Sequence, residues 1–211
     1  MKKLFLTSDS DFFYEHIGEY VDKPLNEVNI AWITTAKGGC LPSKHLPEHR
    51  QKMSRQPFRY DEMDIEGKKE DELREMFKDK DIIYVHGGNT FYLLKAIKES
   101  NFEKVLKEKM DQGVLYAGTS AGAYVACPTI EMCEWKHDRH YHRFEGQDDL
   151  TAMNLVPFLM SVHHEPKYDE DIKKGKRSTD LEVYVLEDGQ GIYVEGGEVK
   201  VLGDASAIRN Q

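Results

Sequence analysis

The sequence predicts an α/β fold: one domain with a mostly parallel central sheet, closed by a C-terminal β-meander. Three observations carry this. Short β-branched, apolar runs alternate with amphipathic helical segments through the first 126 residues, the pattern of repeated βαβ units. An apolar run at 114–118 passes through Gly118-Thr119-Ser120-Ala121-Gly122 directly into a helical pattern, a strand-turn-helix corner. The final third changes to short strands punctuated by Asp188-Gly189 and Gly196-Gly197, both hairpin turn signals.

The strands of the parallel sheet are expected over 3–7, 28–34, 59–65, 81–86 and 114–118. Each is short, and all but 59–65 are largely apolar, as strands covered on both faces are. Helices are expected over 12–21, 43–56, 71–77, 90–99 and 102–112, each able to cross over between neighbouring strands. Leu73, Met76 and Phe77 show the i, i+3, i+4 spacing of a single buried face. The meander is expected over 182–186, 191–194 and 199–202. Between these blocks lies a polar, His-rich stretch from Glu131 to Asp149, long enough to read as a functional loop.

With 211 residues, the chain is expected to form a single domain over 1–211. Its 29 Lys and Arg against 38 Asp and Glu give a net charge of −9, which argues against nucleic acid or an anionic membrane as partner. A small peptide or other small molecule fits better. No stretch approaches the roughly 18 apolar residues of a membrane span, and the N-terminal run Leu4-Phe5-Leu6 breaks at Ser8, too soon for a signal-peptide core. Three cysteines, Cys40, Cys127 and Cys133, form neither a CxxC pair nor a disulfide framework. A cytoplasmic location is therefore expected.

Chemistry concentrates at two glycine corners and one histidine. At Gly118-Thr119-Ser120-Ala121-Gly122, a sharp turn would force the central serine into a strained backbone and expose its Oγ at the C-terminal end of the strand. The Ala121 N–H, directly after the nucleophile, would supply one oxyanion donor. The second corner, His86-Gly87-Gly88-Asn89-Thr90, follows the 81–86 strand and should open on the same sheet edge, with Gly88 supplying the second donor. It lacks the lysine of a P-loop and the third spaced glycine of a dinucleotide site, so a phosphate cradle is disfavoured. Of nine histidines, His163 stands out because an apolar strand, Leu155 to Val162, delivers it. His137, His140 and His142 have an H-x-x-H-x-H spacing that fits no common catalytic zinc pattern, so no metal is expected. No organic cofactor is implied either.

Four ordered blocks, Gly87-Gly88-Asn89-Thr90-Phe91, Ser120-Ala121-Gly122-Ala123, Ala126-Cys127-Pro128-Thr129-Ile130 and Asn154-Leu155-Val156-Pro157-Phe158, are followed by His163. In these the chain resembles the S51 serine peptidase family, which includes dipeptidase E and cyanophycinase. The resemblance implies a three-layer α/β sandwich like that of class I glutamine amidotransferases, flavodoxin-like in its sheet. It also implies Ser120 as nucleophile, His163 as general base, an oxyanion hole from the Gly88 and Ala121 amides, and hydrolysis of short peptides, Asp-X dipeptides among them. The amidotransferases carry a cysteine at the elbow, so the serine here argues for hydrolysis over amide transfer.

Two departures from the family pattern follow. Trp135 stands where the family has its acidic triad member, which leaves Glu134, Asp138 and Glu165 as candidates. Glu134 is the expected choice, since an acid need only orient the imidazole and stabilise its cation. The family's basic segment after the histidine, linked to binding of the substrate's aspartate, is missing; Lys173-Lys174-Gly175-Lys176-Arg177 is the nearest basic run. These departures motivate an alternative, a non-catalytic binding or regulatory protein with a degenerate triad. The expected assembly is a monomer or homodimer. Cys127, two helical turns beyond Ser120, reads as a packed residue, and Tyr124 as either pocket lining or core.

Overall fold

Nine strands and seven α-helices are present in the computed structural model, which describes residues 1–38, 46–138 and 143–203. Cys40, His140 and His142 lie outside the described residues. The main sheet has seven strands, with order β3-β2-β4-β5-β1-β8-β9. These are β1 (Lys3–Thr7), β2 (Asn29–Ile33), β3 (Arg59–Met63), β4 (Ile82–Val85), β5 (Leu115–Thr119), β8 (Gly191–Glu195) and β9 (Glu198–Leu202). The first five pair in parallel, while β8 runs antiparallel to β1 and β9 antiparallel to β8. β6 (Leu159–Ser161) and β7 (Val183–Val185) form a separate parallel pair.

The apolar runs of the parallel strands divide by alternation between two cores. In β1, Leu4 and Leu6 face one side and Phe5 the other; in β2, Ala31 and Ile33 oppose Ile30 and Trp32; in β4, Ile83 and Val85 oppose Ile82 and Tyr84. Both faces are covered, so both sets must be apolar, which is why the runs read as continuous. Phe12 and Phe13 of α1 (Ser10–His16) and Met53 of α2 (Leu46–Ser54) close one face. The other is closed by α3 (Glu70–Met76), α4 (Thr90–Ser100), α5 (Phe102–Asp111), α6 (Ala121–Tyr124) and α7 (Asp169–Lys176), through residues such as Leu73, Phe91, Leu106 and Ile172. Fully burying one such side chain contributes about 1.5–3 kcal/mol before the ordering entropy is subtracted.

The expected three-stranded meander does not form. β8 and β9 make a hairpin through Gly196 and Gly197, both at positive φ (59° and 93°), whereas β7 leaves for β6. The Asp188-Gly189 turn therefore joins two sheets instead of two hairpin partners. Because β8 is antiparallel to β1, with Gly191 opposite Thr7, the start of β8 lies at the same sheet edge as the ends of the parallel strands. Asp188 is carried to that edge.

Candidate active site

Ser120 sits where β5 turns into α6, with φ 53° and ψ −108°, a conformation that costs a non-glycine residue energy and survives only where its surroundings enforce it. Its N–H donates to the Thr7 carbonyl at 3.1 Å, tying the corner to β1. The flanking glycines are sterically obligatory. A Cβ at Gly118 would lie 2.5 Å from the Gly122 carbonyl oxygen, and one at Gly122 would lie 2.1 Å from that of Val85. Ala121 holds the first position of α6, ahead of the helical hydrogen-bond ladder, so its N–H is directed away from the helix.

The second corner is built by its own asparagine. The Asn89 side chain accepts from the N–H groups of Phe91 and Tyr92 and so caps α4, while the Asn89 N–H donates to the Ala36 carbonyl at 2.9 Å. Gly88 is pressed against that same carbonyl, where a Cβ would stand at 2.4 Å. A Cβ at Gly87 would come within 3.0 Å of the Ser120 Cβ, so the two glycine corners meet at the serine.

His163 completes the approach. Its Nε2 lies 2.9 Å from Ser120 Oγ and its Nδ1 lies 2.5 Å from Asp188 Oδ1. An ionised carboxylate can only accept, so Nδ1 carries the proton and Nε2 of the neutral ring is left as the acceptor for the serine hydroxyl. His163 itself has φ 54°, a left-handed conformation. Its N–H donates to Ser8 Oγ at 2.8 Å, and the Ser8 hydroxyl donates in turn to Asp188 Oδ1 at 2.9 Å. Asp188 is 64% exposed, so water screens much of its charge and its leverage on the ring is chiefly directional.

The carboxylates expected beside His163 are engaged elsewhere. Glu134 forms a bidentate pair with Arg143, Asp138 accepts from the Tyr168 hydroxyl at 2.6 Å, and Glu165 pairs with Lys167 at 3.3 Å. The expectation of Glu134 at the imidazole is therefore corrected: Asp188 occupies that place. Trp135, at the offset of the family's acid, packs instead on α7, where a Cβ at Gly175 would lie 2.1 Å from its ring. In the sequence Asp188-Gly189 reads as a turn pair; the antiparallel return of β8 beside β1, a tertiary feature, is what brings Asp188 to the sheet edge beside Ser8. Tyr124 is core, its hydroxyl accepting the Val162 N–H at 3.3 Å. His137 bonds Asp171.

Beneath the serine runs a buried polar chain. Thr7 and Thr119 hydroxyls meet at 2.8 Å, Thr119 donates to the Tyr84 hydroxyl at 3.1 Å, and Tyr84 lies 3.2 Å from His86 Nδ1. Burial, with help from the Lys37 charge, holds the His86 imidazole well below its ordinary pKa.

The model of peptidase family S51 matches residues 4–202. The chain belongs to peptidase family S51. An uncharacterized peptidase of Pasteurella multocida is 28% identical over 96% of this chain and 97% of its own length. A peptidase E of Salmonella arizonae is 33% identical, but over 61% of this chain and 58% of its own. A crystal structure of a Listeria monocytogenes protein assigned to peptidase E superposes with a TM-score of 0.83 at 26% identity, covering 97% of this chain and all of that one. S51 membership makes this a hydrolase of the serine peptidase type. Among the described residues, no helix is long and apolar enough to cross a membrane.

Proposed function

We propose that this S51 chain hydrolyses short peptides through an acyl-enzyme, with Ser120 as nucleophile, His163 as general base and acid, and Asp188 as the orienting carboxylate. The observation that carries this is the continuous hydrogen-bonded line Ser120 Oγ, His163 Nε2, His163 Nδ1, Asp188 Oδ1, at 2.9 and 2.5 Å. Ser120 Oγ attacks the scissile carbonyl carbon as its proton passes to Nε2, and the resulting oxyanion is held by the N–H groups of Gly88 and Ala121. The C–N bond then breaks, Nε2 protonates the leaving amine, and the acyl ester remains on Ser120. Water attacks the ester, gives its proton to Nε2 and releases the acid, and Ser120 recovers its proton.

A strict requirement for an aspartyl substrate is not part of this reading. The nearest basic run lies on α7 with Lys173, Lys174 and Arg177 exposed, and Lys173 already pairs with Glu170 at 2.8 Å. The observation that would favour a non-catalytic protein, an imidazole lacking a carboxylate, is not met at His163.

A fluorophosphonate probe is expected to label the wild-type protein at neutral pH, with the adduct on Ser120 and none in Ser120→Ala. An unlabelled wild type would overturn the reading. A dipeptide panel varying the first residue then reads selectivity, and cleavage confined to Asp-X would refute the relaxed specificity.

A further inference from the structure

His163 is neither glycine nor asparagine, yet it adopts φ 54° at the end of β6, where the ring must meet both Ser120 and Asp188. A left-handed residue of this kind persists only where its peptide groups are held from outside. Two side chains far apart in sequence do so. On the amino side, Ser8 is fully buried, is fixed by its own N–H on the Gln190 carbonyl at 3.0 Å, and accepts the His163 N–H. Spanning both peptide groups, the Lys136 ammonium donates to the carbonyls of Val162 and His163, the latter at 3.1 Å. Lys136 is only 3% exposed, and its ammonium also lies 5.0 Å from the centre of the Tyr168 ring. A buried lysine is costly unless its donors are satisfied, and here two of its acceptors are the carbonyls flanking the His163 N–Cα–C unit.

We propose that Ser8 and Lys136 are positioning residues that clamp the two peptide groups flanking the His163 Cα and thereby aim the imidazole at Ser120. The proposal deepens the serine peptidase reading and rests on it for its catalytic consequence, but the clamp itself has a readout that needs no turnover. Ser8 carries a second duty, since the hydroxyl that receives the His163 N–H also donates to Asp188, locking base and acid to one anchor on the edge of β1. Neither residue touches the reacting atoms.

The test uses the full chain and the variants Ser8→Ala, Lys136→Met and Lys136→Arg, each alone and the first two also on a His163→Ala background. Lys136→Met keeps the apolar stem and removes the buried charge, while two carbonyls lose a donor at a cost in stability, so thermal melting verifies that the variant folds. The first readout is the proton resonance of the His163 Nδ1–H, assigned by its loss in His163→Ala. It is expected far downfield in the wild type, lost or moved upfield in Ser8→Ala and Lys136→Met, and retained in Lys136→Arg. The second is the rate of fluorophosphonate labelling, expected to fall about 10- to 100-fold in Ser8→Ala and Lys136→Met, to recover in Lys136→Arg, and to show no further fall when either change is added to His163→Ala. An unmoved resonance in folded variants, or losses that persist without the imidazole, would overturn the clamp. A wild type that shows the resonance and its loss in the variants but takes no label would keep the clamp and reject the peptidase reading.

Discussion

His163 and Asp188, 25 residues apart in the chain, meet at 2.5 Å through the imidazole Nδ1 and the carboxylate Oδ1. The contact puts the carboxylate that meets the imidazole on a turn after β7, on a different segment from the loop after Ile130. Asp188→Ala is expected to slow labelling or peptide cleavage about 10²- to 10⁴-fold, because the ring loses its tautomeric and directional anchor. Glu134→Gln, which removes the charge that pairs with Arg143, is expected to leave the rate unchanged. Stopped-time labelling of both variants checks this, and the reverse ranking would return the role to Glu134.

The elbow tolerates no methyl group. Gly122→Ala would set a Cβ 2.1 Å from the Val85 carbonyl oxygen, backbone against backbone, so strands or helix must shift. A stability loss of about 1–3 kcal/mol and loss of labelling are expected, read from urea midpoints and probe adducts. Gly175→Ala, meeting the Trp135 ring at 2.1 Å, should destabilise by a comparable amount. Its effect on labelling should be smaller, since it lies on α7 away from the serine corner.

Acid should weaken the fold through its buried imidazoles before most carboxylates titrate. Burial, then Lys37, lowers both His86 and His49 from their ordinary 6.5. In the unfolded chain these rings take up protons near their ordinary pKa, while in the folded chain they do so only at lower pH. The unfolded state then binds more protons, so stability falls as pH drops below about 6.5. Urea midpoints at about pH 7 and about pH 5 should show this fall, and His86→Asn should reduce it. Equal falls in both proteins would remove His86 as its source.

Neither Cys127 nor Cys133 should react with a maleimide in the native protein. Both are buried, and burial pushes the Cys127 thiol up to about 12 and raises Cys133 as well, leaving little thiolate at neutral pH. Mass mapping should find both modified only after denaturation, and rapid native labelling of either would contradict their packing.

Most of the parallel sheet was legible in the sequence because its strands are short and, apart from the edge strand β3, apolar. β1 spans the expected 3–7, and β5 ends one residue later than expected, at Thr119. The strand-turn-helix corner at Ser120 was legible for the same steric reason that makes Gly118 and Gly122 irreplaceable. The acid was not, since Asp-Gly is an ordinary turn pair and nothing local says that β7 joins β6 while β8 joins β1. Nor was Ser8, whose role exists only once residues 180 positions apart lie side by side. Lys136 read as part of a polar loop because burial of a lysine is a tertiary fact.

That spacing governs when the constellation can exist during synthesis. Ser8, Ser120, His163 and Asp188 are drawn from nearly the full run of the chain, and β8 must dock on β1 before the carboxylate can reach the ring. Local pairings such as β4 on β5 can form early, whereas this closure joins the two most distant parts and carries the largest loop entropy. A nascent or truncated chain ending before residue 188 would present a strained serine with its histidine unaligned. The alignment of Ser120, His163 and Asp188 thus belongs to the last-closing part of the fold.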